Sequence, residues 1–294
     1  MEYRAKVVAP LTLRIDRERL KPLLKNFGDR RLCDITGDHI RDYQILRQSQ
    51  VGHRTINLEI KVLRQILKAY KLWARIADDY KSLTENTRGP GKALGDEQEK
   101  KLFSTASNNP RWEVAYYAAL LAANTTARGC ELKSLQLKDV DLMEGQIHIR
   151  SSKTQAGVRV VPLNQTALWA ATRLYERAKK LGASEPDHFL FPACERGQID
   201  LTVPQKTWRS AWKSLTIKAG MKGLRFHDLR HHAITQLAEK GIADQTLMSI
   251  SGHVSRQMLD HYSHVRVQAK REAVNAIDSA ASSEQLSEDD QPVN

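Results

Sequence analysis

The sequence predicts a mainly α-helical protein with one small β-hairpin, divided into an N-terminal helical bundle and a larger α+β unit. Three observations predict it. Apolar residues recur at helical spacing through most of the chain. Short β-branched, partly alternating runs occur together at one place, on either side of a polar turn. Two glycines and a proline fall within Thr87-Arg88-Gly89-Pro90-Gly91-Lys92, which breaks the helical pattern and marks a linker.

Taken in order, residues 13 to about 83 read as helical throughout. Leu20, Leu23, Leu24 and Phe27 fall at helical spacing, and Gly28 follows as a stop signal. Thr36 is placed to cap a second helix that carries Ile40, Tyr43 and Leu46 and runs to Arg47. A third begins near Thr55 with Ile56, Ile60, Leu63, Ile66, Leu67 and Tyr70 on one stripe, and Arg54, Lys61, Arg64 and Lys68 on the other face. Beyond the linker a helix opens near Gly95-Asp96-Glu97, with acidic residues where a helix dipole favours them. Gln146 to Arg150 and Val158 to Leu163 form the hairpin, and its turn, Ser151 to Gly157, holds one lysine, Lys153. Helices are expected from about Asn164 to Leu181, Val203 to Ala219 and His227 to Lys240, then in two short pieces up to about Ala280. The tail from Ser282 is expected to be disordered. The expected boundaries are 1–88, 93–281 and a 282–294 acidic tail.

The charge balance points to a polyanionic partner. The chain has 294 residues with 46 Lys and Arg against 34 Asp and Glu, a formal net charge of +12. No Lys or Arg follows Arg271, while Glu284, Glu288, Asp289 and Asp290 do, so the body is more basic than the total. Nucleic acid fits this balance, because each neutralised phosphate releases counterions. Three scattered cysteines, Cys33, Cys130 and Cys194, form no C-x-x-C pair, which argues against a zinc ribbon or a disulfide framework and fits a reducing compartment. Charges interrupt Met1 to Pro10, so it does not read as a signal peptide, and no stretch approaches the ~20 apolar residues that span a bilayer. A soluble, cytoplasmic protein is expected, with no membrane partner.

Cutting DNA without a metal requires charge to be neutralised on the reacting phosphate, a nucleophile placed in line, and an acid for the departing oxygen. Guanidinium groups suit the first task, since they donate paired hydrogen bonds and stay charged. The C-terminal half offers such a set in order: Arg128 beside a helix start, Lys153 in the hairpin turn, His227-Asp228-Leu229-Arg230 opening a helix, Gly252-His253 after a helix end, and Tyr262. Taken singly, each has a plainer reading: Arg128 as a helix-start arginine paired with Glu131, Lys153 as a solvated turn residue, Tyr262 as a packing residue. Their joint order favours chemistry.

This series resembles the tyrosine recombinases, or phage-type integrases. Their pattern is an Arg in a T-G-x-R-x-x-E-L context, a hairpin Lys, an H-x-L-R-H run, a G-H pair, and a Tyr about nine residues on. The likeness covers about 95 to 275. It extends to Phe27-Gly28 through Leu32, Asp34-Ile35-Thr36 and Thr55-Ile56-Asn57, which resemble the family's helical core-binding (SAM-like) DNA-binding domain. The resemblance implies that Arg128 and Arg230 clamp the scissile phosphate, Tyr262 attacks it, and Lys153 protonates the leaving 5′-oxygen. It further implies that His227 and His253 hydrogen-bond the phosphate and assist proton transfer, and that Glu131 orients Arg128. It departs at Thr126, where the family has Gly, and at Ser251, where it has Leu. Gly adopts positive φ at less cost, so Thr126 bears on the turn that presents Arg128.

The function so implied is site-specific strand exchange by metal- and ATP-independent transesterification, with duplex DNA clamped between the two domains and a homotetramer on two sites. Accessory DNA-bending proteins are possible partners. No cofactor is called for. Zinc is the natural suspicion for His227, His231, His232, His253, His261 and His264, but the run is H-D-L-R-H and not H-E-x-x-H, and Arg230 would repel a cation. Two other readings share the scaffold: a type IB topoisomerase, and a non-enzymatic DNA-binding protein. Lys61, Arg64 and Lys138 are DNA-contact candidates as part of a basic surface. Trp112, Trp169, Trp208 and Trp212 read as core or interface residues.

Overall fold

The computed structural model describes residues 2–85, 93–150 and 157–252. Contacts divide the chain into two units, Met1–Gly89 and Pro90–Asn294, each with its own apolar core.

The first unit contains α1 (Glu2–Val7), α2 (Pro10–Phe27), α3 (Gly37–Gln48), α4 (His53–Ala69) and a 3-10 turn, Trp73–Ile76. Pro10 starts α2 where a missing N–H costs nothing. Thr36 caps α3 reciprocally: its hydroxyl accepts the His39 N–H (3.4 Å), and His39 Nδ1 accepts the Thr36 N–H (3.2 Å). Leu23 and Phe27, Ile40 and Tyr43, and Ile56, Ile60, Leu63 and Leu67 meet in the core as their spacing predicts. Leu24, Leu46 and Tyr70 do not join them and lie exposed. Neighbours on a helix diverge by about 100°, so Leu24 cannot share a face with Leu23. Inside the bundle the buried Glu59 accepts from Tyr43 Oη (2.7 Å) and from Arg47 Nε and Nη2 (3.0 and 2.6 Å). Arg54, Lys61, Arg64 and Lys68 are all exposed on the outer face of α4.

The helix expected through residue 83 ends at Ala69, and only the 3-10 turn Trp73–Ile76 follows it. Lys71 takes a left-handed φ of 57° and ends the helical path. Side chains then hold the returning chain extended: Asn57 exchanges two hydrogen bonds with the Leu83 peptide (2.8 and 3.0 Å), and Gln44 Nε2 donates to the Lys81 carbonyl (2.9 Å). A side-chain amide that replaces a backbone partner leaves no periodic trace in the sequence.

The second unit is built around α6 (Glu113–Thr125), against which α5 (Asp96–Ser107), α8 (Gln165–Lys180) and α10 (Asp228–Glu239) pack. Ala115, Ala118, Ala119, Leu120, Leu121, Ala122 and Ala123 of α6 are all buried. A helix enclosed on every side carries no amphipathic stripe, and its alanines let neighbours approach closely. Short α7 (Gly129–Lys133) follows. Then β1 (Val140–Asp141), β2 (Gln146–Ile149) and β3 (Arg159–Pro162) form an antiparallel sheet in that order, with Ile147 opposite Val161. The predicted hairpin is therefore two strands of three. Its turn at 151–156, with Lys153, lies outside the described residues.

A second hairpin, β4 (Pro192–Glu195) and β5 (Gln198–Pro204), was not expected. It corrects the helix predicted from Val203: Val203 and Pro204 end β5, and the helix, α9, spans Arg209–Lys218. Arg196 and Gly197, both at positive φ (53° and 81°), make the two-residue turn whose twist suits a hairpin. Ile199, Leu201 and Val203 do alternate with polar residues, and that signal was available. Last comes α11 (Asp244–Ser251), the first of the two short pieces expected up to Ala280. The second piece and the tail from Ser282 lie outside the described residues. Among the described residues no helix is long and apolar enough to cross a membrane.

Candidate active site

Arg128 is presented by a kink. Helix α6 ends at Thr125, and Thr126 turns into the left-handed region (φ 57°, ψ 6°). Its hydroxyl donates to the Ile250 carbonyl (3.2 Å), which anchors the kink to the end of α11. The chain then extends through Arg128, the residue capping α7. The Arg128 N–H and Nη1 both donate to Glu131, at 2.9 Å (Oε2) and 2.6 Å (Oε1). Nη2 donates to the Gly252 carbonyl at 2.9 Å. Glu131 is 2% exposed. Burial alone would raise its pKa, but hydrogen bonds from Arg159 and Arg128 outweigh that and hold it below the ordinary carboxyl value.

Arg230 enters the same place from α10 and is itself buried. Nη2 donates to the Ser251 carbonyl (2.9 Å) and more distantly to that of Gly252 (3.5 Å), and Nη1 donates to the Thr126 carbonyl. The α10 entry is set by Asp228, which accepts from the Arg225 N–H (2.9 Å) and from Arg225 Nη2 (2.5 Å). His227 and His231 sit one turn apart with ring centroids 5.0 Å from each other. His227 is exposed, yet the protein packed against part of its ring, with His231 and Arg230 beside it, lowers its pKa from the ordinary histidine value. Burial also lowers His231. His232 points the other way: it is buried, Nδ1 accepts the Leu94 N–H (3.2 Å), and Nε2 lies 3.2 Å from Glu99 Oε2. Through them His232 ties the start of the second unit to α10.

One charged residue of this seam escaped sequence reading. Arg159 of β3 donates to Glu131 Oε2 (3.0 Å) and to the carbonyls of Ile250 (2.7 Å) and Gly157 (2.8 Å). In Val158-Arg159-Val160-Val161 the apolar Val158 and Val160 face out, while Arg159 turns inward with Val161. Strand alternation leaves open which face is buried, so the sequence alone does not tell that Arg159 turns inward.

Beside Arg128 and His227 opens a cleft of about 730 Å³, floored by Trp208, Trp212 and Phe226 and rimmed by Lys133, Arg209, Lys213, Lys222 and Arg225. Trp208 and Trp212 are core residues, as expected, while Trp169 is largely exposed, with the Arg173 guanidinium 5.9 Å from its ring. Lys138 pairs with Asp187.

The structure thus brings together Arg128, Arg230 and His227, with Glu131 beneath Arg128. Lys153, His253 and Tyr262 lie outside the described residues, as do His261 and His264. Among the described residues no group of three or more His, Cys, Asp or Glu is arranged to hold a metal ion.

Comparison with known proteins finds relatives over most of this chain. The phage integrase family model matches residues 92–269. The tyrosine recombinase XerA of Pyrococcus furiosus is 27% identical over 240 residues, covering 81% of this chain and 79% of its own. The shufflon-specific DNA recombinase of Escherichia coli is 25% identical over 253 residues, covering 81% and 60%. Among solved structures, the Tn1549 transposon integrase in complex with transposon right end DNA superposes with a TM-score of 0.71 at 21% identity, covering 94% of this chain and 96% of that one. A lambda integrase tetramer bound to a Holliday junction gives 0.63 at 19%, covering 86% and 74%.

Proposed function

We propose that this chain, which belongs to the phage integrase family, works through a 3′-phosphotyrosyl bond at Tyr262. It is a site-specific DNA recombinase that breaks and rejoins DNA strands. The reading is carried by the convergence of Arg128 and Arg230 on the Gly252 carbonyl, one residue before His253. Two guanidiniums brought to one spot suit a phosphate whose charge grows during reaction.

In the proposed reaction the Tyr262 hydroxyl oxygen attacks phosphorus as its proton passes to His227 or His253, the bond to the 5′-oxygen breaks, and Lys153 supplies that oxygen with a proton; the reverse step returns both protons. Arg128 and Arg230 hold the non-bridging oxygens, and His227 and His253 hydrogen-bond the phosphate. A 5′-hydroxyl from a second strand then attacks the phosphotyrosine and releases Tyr262. One phosphoester is exchanged for another at each step, so the cycle needs neither ATP nor a redox partner. Residues 93–281 form the catalytic domain and residues 1–88 a helical core-binding domain, each with its own contacts to duplex DNA, and residues 282–294 are an acidic tail. Four copies act on two sites, with room for accessory DNA-bending proteins. The exposed cations of α4 and of the cleft rim supply phosphate contacts.

Junctions sequenced from cells carrying the gene and its flanking DNA would define the duplex site. On a nicked version of that site in EDTA, the parent should form a covalent band on a denaturing gel, and protease digestion should leave a peptide containing Tyr262 on a 3′-phosphate. Tyr262→Phe should bind the duplex and form no band. A band that persists in Tyr262→Phe, or a 5′-linked peptide, would refute the assignment.

A further inference from the structure

Arg159 carries a buried charge that the reaction described above does not use. Its side chain is 6% exposed and reaches three separate segments: Glu131 in α7, the Gly157 carbonyl at the edge of the hairpin turn, and the Ile250 carbonyl near the end of α11. Each segment leads directly to a residue of the reaction set, respectively Arg128, Lys153 and His253. Gly252 adds an independent sign of close fit. A Cβ there would lie 2.9 Å from Arg159 Nη1 and 3.2 Å from its Cδ and Cζ, so the Gly252 peptide rests directly on this side chain.

The charges at this seam pose a problem that Arg159 solves. Glu131 fixes Arg128 through two hydrogen bonds, and a buried carboxylate paired with a single guanidinium makes a neutral unit. A neutral unit would attract a phosphate poorly. A second guanidinium on the same carboxylate restores the net positive charge and leaves Arg128 both oriented and effective. The structure assigns Arg159 as a positioning residue for strand cleavage: it neutralises Glu131, so that Glu131 holds Arg128 without cancelling its charge, and it supports the Gly252 peptide that leads to His253. The assignment rests on the recombinase reading given above.

A purely structural staple and a charge balancer predict different results when Glu131 is neutralised as well. Arg159→Met should slow single-turnover cleavage of the nicked duplex roughly 10²-fold at saturating protein, the scale of a small misplacement of catalytic groups. Duplex affinity should change less than about threefold, since Arg159 offers no phosphate contact. Arg159→Lys should fall between the two, because an ammonium keeps the charge but lacks the fork that spans three acceptors. Glu131→Gln placed in the Arg159→Met background should recover about tenfold or more of the lost rate, by removing the uncompensated carboxylate. It should also raise the melting temperature of the free Arg159→Met protein. Cleavage by Arg159→Met at the parental rate, a double variant no faster than Arg159→Met, or a double variant that melts lower would each overturn the assignment. Absence of any covalent complex from the parent counts against the recombinase reading itself, whereas the order of melting temperatures separately tests the charge balance of Arg159 on Glu131.

Discussion

Arg128 and Arg230 donate to the same acceptor, the carbonyl oxygen of Gly252, at 2.9 and 3.5 Å. One comes from the cap of a short helix and the other from the first turn of α10, so the shared oxygen fixes the spacing between two cations that the sequence separates widely. Bringing them together costs repulsion, which the polar carbonyls of Thr126, Ser251 and Gly252 offset. Such preorganisation is useful where charge develops in a transition state. Arg128→Ala or Arg230→Ala should therefore slow cleavage by about 10²-fold or more while duplex binding falls far less. The lysine variants should recover only part, because an ammonium cannot make the paired contact. Single-turnover cleavage beside filter binding on one duplex measures both. Parental cleavage by either alanine variant would remove that arginine from the site.

Thr126 and Gly252 both take positive φ, and their substitutions should differ in size of effect. Thr126 sits at φ 57° with its hydroxyl on the Ile250 carbonyl. A left-handed non-glycine residue costs about 1–2 kcal/mol, and the hydrogen bond returns about 1 kcal/mol. Thr126→Gly should change stability by no more than about 1 kcal/mol, whereas Thr126→Val keeps the strain without the bond and should lose more. Gly252→Ala meets both a φ of 56° and the Arg159 guanidinium, which three hydrogen bonds prevent from yielding. It should be the most destabilised of the three in thermal melts. A Gly252→Ala protein as stable as the parent would show that Arg159 yields easily.

What was legible in the sequence follows from which forces leave periodic or positional marks. Thr36 and Asn164 marked their helix starts because a capping oxygen must stand just before the first helical residue. Arg128, His227 and Arg230 were legible because their motifs hold several residues at fixed spacing. Helix α6 was not singled out, since a helix buried on all sides has no polar face to reveal its period. The segment from Tyr80 to Leu83 reads as helix because its restraint comes from Gln44 and Asn57, far away in the chain. Arg159 was invisible for a related reason. An arginine between valines reads as an outward residue, and only Glu131, 28 positions earlier, explains why it turns in.

The same seam should respond to pH with a defined sign. His227 and His231 titrate below the ordinary histidine value of 6.5, and Glu131 below the ordinary carboxyl value of 4.5. A histidine depressed by folding binds its proton more readily in the unfolded chain, so folded stability falls as pH drops through and below 6.5. A depressed carboxyl behaves likewise in a lower window: its contribution is present above 4.5 and is lost as acid protonates it in the fold. Both act in the same direction but at separate pH. Asp228 works against the shift at His231, while Arg225 and Arg230 reinforce it, so protonation there adds a cation beside two others. The melting temperature should therefore fall on acidification from about pH 7.5 to about pH 5.5, before any carboxyl contributes much. Replacing both His227 and His231 with Gln should flatten that slope without altering the steeper loss below about pH 4.5, where Glu131 titrates. Thermal melts of the parent and the double variant across the range test this directly. A parent that melts higher at the acidic end of the first window, or a double variant with the parental slope there, would show that the two imidazoles are not held neutral by their surroundings.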